Sequence, residues 1–339
     1  MRKVKVEDAV GMILCHDVTK VVPGEFKGPA FKKGHLIKQE DIEELLKLGK
    51  DHLYIWECGN DLLHENDAAL RMAKASIGQG IEYSQPSEGK VSLIAARPGL
   101  LKVNAKKLCA VNMIDEVSFA TRHTNQVVEK GDIVAGTRVI PLTVKKEKIE
   151  AVEELCLDGG PLLEVKKMRQ LKVGLITTGN EVYYGRIKDK FSPVVKKKMA
   201  RYGCEVLWHE LMYDDAEQIK EKIVDFINQG AQMVITTGGM SVDPDDVTPT
   251  GVKSTGAELV TYGSPVLPGA MFLLAYLGEV PIMGLPACVM YFKATVFDLV
   301  LPRVLAGEKI TRKDIAMMGH GGLCMNCKEC QYPNCPFGK

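Results

Sequence analysis

The sequence has almost no net charge, no long apolar run and no apolar leader, and each absence narrows the class of protein. Its 44 Lys and Arg residues nearly balance 43 Asp and Glu residues, for a formal net charge of +1, so nothing favours a nucleic acid or an anionic membrane as partner. No uninterrupted apolar run reaches the ~20 residues of a membrane span. The opening MRKVKVEDAV carries charges where a signal peptide needs an apolar core. We therefore expect a cytoplasmic protein with no nucleic-acid and no membrane partner.

Length and composition predict a globular protein with more than one core. The 339 residues are 46% hydrophobic and 26% charged, which is typical of globular chains but too long for one ordinary domain. We predict an N-terminal α+β unit over residues 1–60 and a mixed, mainly β region with a linker over 61–165. An α/β domain over 166–308 and a cysteine-rich metal-binding tail over 309–339 complete the prediction.

From Leu171 the pattern becomes a regular alternation of strands and helices. The predicted strands and helices are Val173–Thr177, Pro193–Tyr202, Glu205–Leu211, Asp215–Asn228, Met233–Thr236, a short helix near Val247, Val280–Met283 and Met290–Leu305. Such alternation indicates parallel strands covered by helices on both faces. The predicted fold class is therefore α/β: a three-layer αβα domain with a mostly parallel sheet, preceded by a mixed, mainly β region.

Two predicted strands end in the same turn. Gly174–Val182 reads GLITTGNEV and Met233–Val247 reads MVITTGGMSVDPDDV. Glycine turns let backbone N–H groups approach a ligand closely, and ligands of parallel sheets bind at the carboxyl ends of the strands. We therefore expect Glu181, Asp214 and Asp246 to converge there, either around a divalent cation or on the amino groups of a heterocycle. The chain has neither a G-x-G-x-x-G dinucleotide fingerprint after its first strand nor the G-K-[ST] of a P-loop.

These motifs resemble a known family. Residues 171–306 are similar to the molybdopterin-binding domain shared by the molybdopterin molybdotransferase and molybdopterin adenylyltransferase families. Thr177–Val182, TTGNEV, resembles the family's S-T-G-D-E-L, and Tyr213-Asp214-Asp215 resembles its R-D-D. Gly238–Val242 resembles G-G-V-S-V, and Asp246 falls on the last acid of G-G-x-S-x-G-D-x-D. Gly284-Leu285-Pro286 resembles the start of G-L-P-G-N-P.

The resemblance implies a ligand, a set of site residues and a role. Molybdopterin is the implied ligand or substrate, with molybdate and Mg²⁺ beside it, and Glu181, Asp214 and Asp246 as the catalytic acids. The implied cofactor-binding residues are Thr177, Thr178, Gly179, Asp189, Thr237, Gly238, Gly239, Ser241, Pro268, Gly269, Gly284 and Pro286. The implied role is molybdenum cofactor biosynthesis or maturation, including Mg²⁺-dependent molybdate insertion, in a homodimer. The alternative is a non-catalytic cofactor carrier or redox-sensing adaptor for a molybdenum enzyme.

Some family motifs are altered here. The family's K-P-G-K-P is Leu267–Met271, LPGAM, with neither lysine, and those lysines would pair with an anion. Residues 1–60 also lack its Asn-Ser-Ala-Met-Asp-Gly-Tyr-Ala segment. The resemblance therefore implies ligand binding more directly than metal transfer.

Ten cysteines are present, and four of them are concentrated at the end of the chain. Cys324, Cys327, Cys330 and Cys335 form C-x2-C-x2-C-x4-C-P, one residue longer than a bacterial ferredoxin run. Four thiolates this dense predict one [4Fe–4S] cluster or one Zn²⁺ ion, and we favour the cluster. The single cysteines are expected to be buried reduced thiols: Cys15, Cys58, Cys109, Cys156, Cys204 and Cys288.

Overall fold

The computed structural model describes residues 2–22, 25–55 and 61–339. Cys58 and the predicted strand end at Trp56 lie outside these ranges. Across the described ranges, no helix combines the length and apolarity needed to cross a membrane.

The secondary structure alternates short strands with short helices. The strands are β1 Arg2–Lys5, β2 Val18–Val22, β3 Phe26–Phe31, β4 His52–Ile55, β5 Leu62–His64, β6 Ile81–Tyr83, β7 Lys90–Ala95, β8 Gly99–Val103, β9 Val117–Thr121, β10 Gln126–Val128, β11 Ile133–Val139, β12 Thr143–Lys145, β13 Leu163–Lys166, β14 Lys172–Thr178, β15 Glu205–Met212, β16 Met233–Thr237, β17 Glu258–Tyr262, β18 Leu273–Leu277 and β19 Val280–Leu285. The helices are α1 Asp41–Lys47, α2 Glu65–Ser76, α3 Ala105–Asn112, α4 Lys146–Leu157, α5 Asn180–Tyr183, α6 Phe191–Ala200, α7 Ala216–Asn228, α8 Thr248–Ser254, α9 Val296–Leu305 and α10 Arg312–Met317, with 3₁₀ turns at Val6–Ala9 and Ala287–Met290.

The chain divides into two compact units. The first comprises Met1–Ala96, Asn104–Arg122 and Gly131–Glu164, and the second comprises Arg97–Val103, His123–Lys130 and Val165–Lys339. The first unit contains the antiparallel sheet β6-β7-β11-β9. Helix α2 packs on β7 and β11, and its buried face includes Ala69 and Met72.

The second unit is organised around a six-stranded sheet. Its strand order is β15-β14-β16-β19-β18-β17. The first four strands run parallel, whereas β18 and β17 join antiparallel. The predicted α/β class with a mostly parallel sheet is therefore confirmed, and β17 and β18 are additions that the alternating pattern did not predict.

Both faces of this sheet are covered, which makes it the central one of three layers. Val173 and Leu175 of β14 belong to the core on one face, with residues from α6 and α9. Ile176 belongs to the core on the opposite face, with residues from α7 and α8. Alternate side chains of a strand point to opposite faces, so burial on both faces explains why β14 and β16 are almost uninterrupted apolar runs.

Strand register aligns the carboxyl ends that carry the candidate site. Thr178 pairs with Met212 of β15, and Thr177 pairs with Thr237 of β16. Thr237 in turn pairs with Leu285 of β19. The turns that follow these parallel strands therefore meet along one edge of the sheet, where ligands of such folds bind.

The last helix of the sheet domain begins later than predicted. Met290 ends a 3₁₀ turn, and α9 starts only at Val296. Thr295 and Asp298 form a capping box at this start, in which each side chain accepts a backbone N–H hydrogen bond. The segment between the two elements, residues 291–295, is therefore a loop.

The scattered cysteines are only partly as predicted. Cys15, Cys156 and Cys204 are buried, whereas Cys109 is exposed and Cys288 is half-buried. Burial raises the pKa of Cys15, Cys156 and Cys204, which keeps these thiols protonated and unreactive. The prediction of burial is wrong for Cys109 because α3 buries only Val111.

A partly buried ion network predicts acid sensitivity of the second unit. Arg303 Nη2 lies 2.7 Å from Asp314 Oδ1, and the Thr311 hydroxyl donates a hydrogen bond to the same carboxylate. Although burial opposes it, these bonds lower the pKa of Asp314 from 3.8 to about 2. The ionised form thus stabilises the fold above about pH 4, and this contribution is lost as the pH falls toward 2.

We expect Asp314→Asn to remove about 1–2 kcal/mol of that pH-dependent stability. Urea unfolding measured between pH 2 and pH 6 would show a shallower loss of stability for the variant. The matched control is Glu279→Gln, since Glu279 is an exposed residue of the β18–β19 turn. If the stability of Asp314→Asn and that of the wild-type chain fell equally steeply between pH 6 and pH 2, Asp314 would not be the source of the acid sensitivity.

Candidate functional site

The glycine turn after β16 packs directly against the end of β14. Gly238 has φ +86°, and a Cβ atom there would lie 2.0 Å from the carbonyl oxygen of Thr178. Gly239 has φ +53°, and its Cβ would lie 2.8 Å from Thr248 Oγ1 and 3.2 Å from Asp214 Oδ1. Only glycine fits these positions without a shift of the backbone. The two predicted turns therefore form one continuous surface at the sheet edge.

Asp214, which follows β15, is the central acid of this surface. Its Oδ2 accepts a hydrogen bond from the backbone N–H of Asn180 at 3.0 Å. Its Oδ1 is buried and has no hydrogen-bond partner among the residues that the structure describes. Burial raises the pKa of Asp214, the Asn180 amide and the Thr178 hydroxyl oppose this shift, and the nearby Glu181 and Asp246 carboxylates add to it. A buried oxygen without a partner is costly, which makes it a candidate acceptor for a ligand donor.

Glu181 and Asp246 are both close enough to Asp214 to act on it through their charge. Glu181 is exposed in the first turn of α5, with its carboxylate close to the backbone of Gly179. Asp246 is half-buried and accepts a hydrogen bond from the backbone N–H of Asp243 at 3.1 Å. The structure thus brings the three predicted acids near one another, each held from a different strand end.

The threonines of the two turns are buried and bonded to one another. Thr178 Oγ1 lies 3.1 Å from Thr248 Oγ1, and Thr237 Oγ1 donates to Thr177 Oγ1 at 3.3 Å. Thr177 Oγ1 also lies 3.3 Å from His209 Nε2. Thr248 and His209 were not among the predicted site residues. Thr248 is the first residue of α8, directly after the acid-rich run. The sequence pattern predicts a short helix at this position.

Two predicted cofactor-binding residues make local backbone contacts. Asp189 Oδ1 accepts hydrogen bonds from the backbone N–H groups of Phe191 and Ser192 at 2.7 and 3.1 Å. Asp189 thus stabilises the start of α6, as acidic caps do. Ser241 is exposed, and its carbonyl oxygen accepts a hydrogen bond from the Tyr262 hydroxyl at 3.1 Å.

The remaining predicted residues shape the same edge beside β18 and β19. A Cβ on Gly284 would lie 2.5 Å from Met240 Cε, and one on Gly269 would lie 2.5 Å from Val296 Cγ1. Pro268 accepts the backbone N–H of Val296 at its carbonyl oxygen, and Pro286 precedes the 3₁₀ turn. These positions allow close packing between the turns and α9.

A cluster of tyrosine rings flanks the acids. The ring centroid of Tyr183 lies 5.2 Å from that of Tyr184 and 5.2 Å from that of Tyr213. The Arg186 guanidinium lies 5.4 Å from the Tyr184 ring centroid. Tyr183 is the last residue of α5, the helix that carries Glu181, and Tyr213 directly precedes Asp214. These rings offer aromatic faces on which a heterocycle can stack.

The described residues give no support to a magnesium centre at the acids. Over the described ranges, no set of three or more His, Cys, Asp or Glu side chains could hold a metal ion. Asp214 directs one oxygen to the Asn180 amide and buries the other, whereas Glu181 is exposed. The predicted Mg²⁺ is thus unsupported, and the tail cysteines likewise do not meet around one ion.

The sheet domain and its turns are similar to a known domain family. Residues 174–306 match the family model described as "Probable molybdopterin binding domain", which confirms the resemblance seen in the motifs. Residues 3–57 match a second model, described as a domain of unknown function (DUF8806).

Two similar curated proteins share the name Molybdopterin molybdenumtransferase. A Molybdopterin molybdenumtransferase from Haemophilus influenzae is 29% identical over 203 residues, which cover 57% of this chain and 47% of that protein. One from Synechococcus elongatus is 27% identical over 147 residues, which cover 41% of this chain and 36% of that protein. The chain therefore spans about a third to a half of the length of these relatives.

Among solved structures, the tungsten cofactor synthesizing protein MoaB from Pyrococcus furiosus is similar. It is 20% identical, with coverage of 40% of this chain and 92% of that one and a TM-score of 0.33.

Proposed function

We propose that this chain binds molybdopterin at the edge of the sheet formed by β14, β15, β16 and β19, and acts in molybdenum cofactor biosynthesis. The observation that carries the proposal is the buried Oδ1 of Asp214, which has no hydrogen-bond partner among the described residues. A pterin ring carries amino and ring N–H donors, and a carboxylate oxygen is the acceptor that such donors need. The match of residues 174–306 to the molybdopterin-binding model supports the same ligand.

The surroundings of Asp214 suit the two ends of such a ligand. The Gly238-Gly239 turn lacks side chains that would block its backbone N–H groups, and these groups are suited to a phosphate. The rings of Tyr183, Tyr184 and Tyr213 suit the flat heterocycle. In this arrangement the acids act as hydrogen-bond acceptors, and binding of the ligand does not require a magnesium ion.

Binding without metal transfer is the activity that we propose. Leu267–Met271, LPGAM, has neither of the lysines found in the family's K-P-G-K-P. A molybdate anion would then lack the cations that pair with it most strongly. The chain would hold the cofactor or its precursor for another protein, as a carrier does.

The direct test is a titration of the full-length chain with molybdopterin, with and without Mg²⁺. We expect saturable binding that does not depend on Mg²⁺, and at least a tenfold weaker affinity for Asp214→Ala, which corresponds to about 1.4 kcal/mol. The control is Asp225→Ala, since Asp225 lies on α7, bonded to Lys222 and Gln229. Absence of binding by the folded wild-type chain would remove the proposal. Incorporation of added molybdate into bound molybdopterin would replace carriage by transfer.

Removal of a ring from the tyrosine cluster tests the stacking part of the site. We expect Tyr183→Ala to raise the dissociation constant about three- to tenfold, because aromatic contacts contribute about 0.5–1.5 kcal/mol. Tyr183→Phe should keep most of the affinity, since the ring remains. Tyr83→Ala serves as a control on another exposed tyrosine. Equal affinities for Tyr183→Ala and Tyr83→Ala would show that the cluster is not part of the site.

A further inference from the structure

All four cysteines of the tail line one cavity. This cavity has a volume of about 310 Å³, and its walls are the tail and the loop before α9. We propose that it holds one [4Fe–4S] cluster, ligated by Cys324, Cys327, Cys330 and Cys335. The inference concerns a site separate from the turns of the sheet and does not depend on the proposed function.

The tail is folded against the sheet domain in a defined way. The backbone N–H of Cys324 donates to the carbonyl oxygen of Leu267 at 2.8 Å, and the N–H of Leu267 donates to Gly322 at 2.8 Å. The N–H of Gly338 donates to the carbonyl oxygen of Gly321 at 3.0 Å, so the two ends of the cysteine segment are joined. The segment is therefore a closed loop that returns on itself.

Two aromatic residues anchor this loop to α9. Phe337 is buried in the large core beside the sheet, and the Tyr332 hydroxyl donates to the carbonyl oxygen of Asp298 at 3.2 Å. Their ring centroids lie 6.2 Å apart in an edge-to-face arrangement. Both residues lie between Cys330 and the end of the chain, on either side of Cys335. The cysteine positions are thus fixed by contacts made by other side chains.

One cysteine sulfur already accepts a backbone hydrogen bond. The N–H of Asn326 donates to Cys324 Sγ at 3.5 Å, and Asn326 has φ +54°. A non-glycine residue in the left-handed region is uncommon and costs free energy. Hydrogen bonds to ligand sulfurs orient metal ligands and tune iron–sulfur clusters. The conformation at Asn326 therefore supports a thiolate ligand at Cys324.

The size of the cavity favours a cluster over a single zinc ion. Zinc binds four thiolates at about 2.3 Å each, so the four sulfurs must surround one common centre. In the described tail no three of them do so, although all four border the same 310 Å³ space. Bridging irons and sulfides would occupy the space that separates the thiols.

The remainder of the wall suits a charged inorganic group. Phe292, Ala294 and Phe337 contribute apolar surface, whereas Lys293 and Lys328 contribute positive charge beside one acid, Glu329. A cluster held by four thiolates carries net negative charge, which the two lysines offset. The potential of such a cluster depends on this charge and on its exposure.

Metal and sulfide analysis of the full chain, purified without oxygen, tests the proposal. We expect about four irons and four sulfides per chain, and a broad visible absorbance that bleaches with dithionite. Chain isolated without metal should reach the same content after anaerobic incubation with sulfide and equal amounts of ferrous and ferric iron, which together supply the oxidation state of the cluster. One zinc per chain without sulfide would overturn the proposal, as would two irons per chain or failure of the folded chain to take up iron.

Variants of the exposed ligands separate a cluster from adventitious iron. Cys327 and Cys330 are exposed, so we expect Cys327→Ser and Cys330→Ser to fold and to lose most of the iron and the visible absorbance. The matched control is Cys109→Ser, which removes an exposed thiol of the first unit and should keep both. Circular dichroism checks the fold of each variant. Full iron content in both ligand variants would overturn the assignment of these ligands.

Discussion

Gly238→Ala is expected to destabilise the protein by about 2–5 kcal/mol and to abolish ligand binding at the sheet edge. An L-residue at φ +86° costs about 1–2 kcal/mol. The added methyl group would also lie 2.0 Å from the carbonyl oxygen of Thr178, and relief of such overpacking costs about 1–3 kcal/mol more. That relief must separate the turns after β14 and β16, which carry the Asn180 amide and the Gly239 backbone on either side of Asp214.

The control for this variant is Gly256→Ala. Gly256 has φ +80°, and a Cβ there would meet no atom within 4 Å, so the control carries the backbone strain without the collision. Urea unfolding would measure the stability of both variants, and titration with molybdopterin would measure binding. We expect Gly256→Ala to lose about 1–2 kcal/mol and to keep its affinity. Equal stabilities for the two variants would show that the turns do not pack as described.

The second large effect is expected for Arg303→Met, at about 3–5 kcal/mol of lost stability. Arg303 is 11% exposed and lies 2.8 Å from a carboxylate oxygen of Glu308 and 2.7 Å from one of Asp314. Methionine preserves much of the side-chain volume, but it leaves two partly buried carboxylates without their shared cation. Lys102, 2.6 Å from Glu308, compensates for only one of them.

Lys309→Met is the matched control for the charge change. Lys309 is 56% exposed and lies 3.5 Å from Glu258, and such surface pairs contribute about 0–1 kcal/mol. Chemical unfolding at pH 7 and at pH 3 distinguishes the two variants further. The loss for Arg303→Met should be smaller at pH 3, where protonation begins to neutralise the acids. Similar losses for both variants at pH 7 would contradict the network.

The sheet domain could be predicted because its central strands are covered on both faces. That covering makes β14 and β16 continuous apolar runs between helices of regular period, a pattern that the sequence displays directly. β18 is equally apolar, but an apolar run alone does not distinguish a strand from a buried helix. The predicted start of α9 is too early, although Thr295 and Asp298 have capping-box spacing. Apolar residues before Thr295 extended the helical pattern past this signal.

The candidate site could be predicted in part, because strand ends in a parallel sheet share an edge. The gathering of Glu181, Asp214 and Asp246 depends on that rule alone. The hydrogen-bond partners of each side chain depend on the geometry of the turns, which the sequence does not show. Asp189 matches a motif and also accepts the first backbone N–H groups of α6, and Thr248 bonds Thr178 without belonging to any motif.

The closed loop of the tail has a consequence for the order of assembly during synthesis. Leu267 and the loop before α9 are made before the cysteine segment, and domains fold progressively as the chain emerges. The sheet can therefore be complete before Cys335 leaves the ribosome. The joining of Gly338 to Gly321 then follows the folding of the sheet and takes place on a surface that has already formed. Supply of iron and sulfide would limit this later step, while the sheet edge is formed earlier.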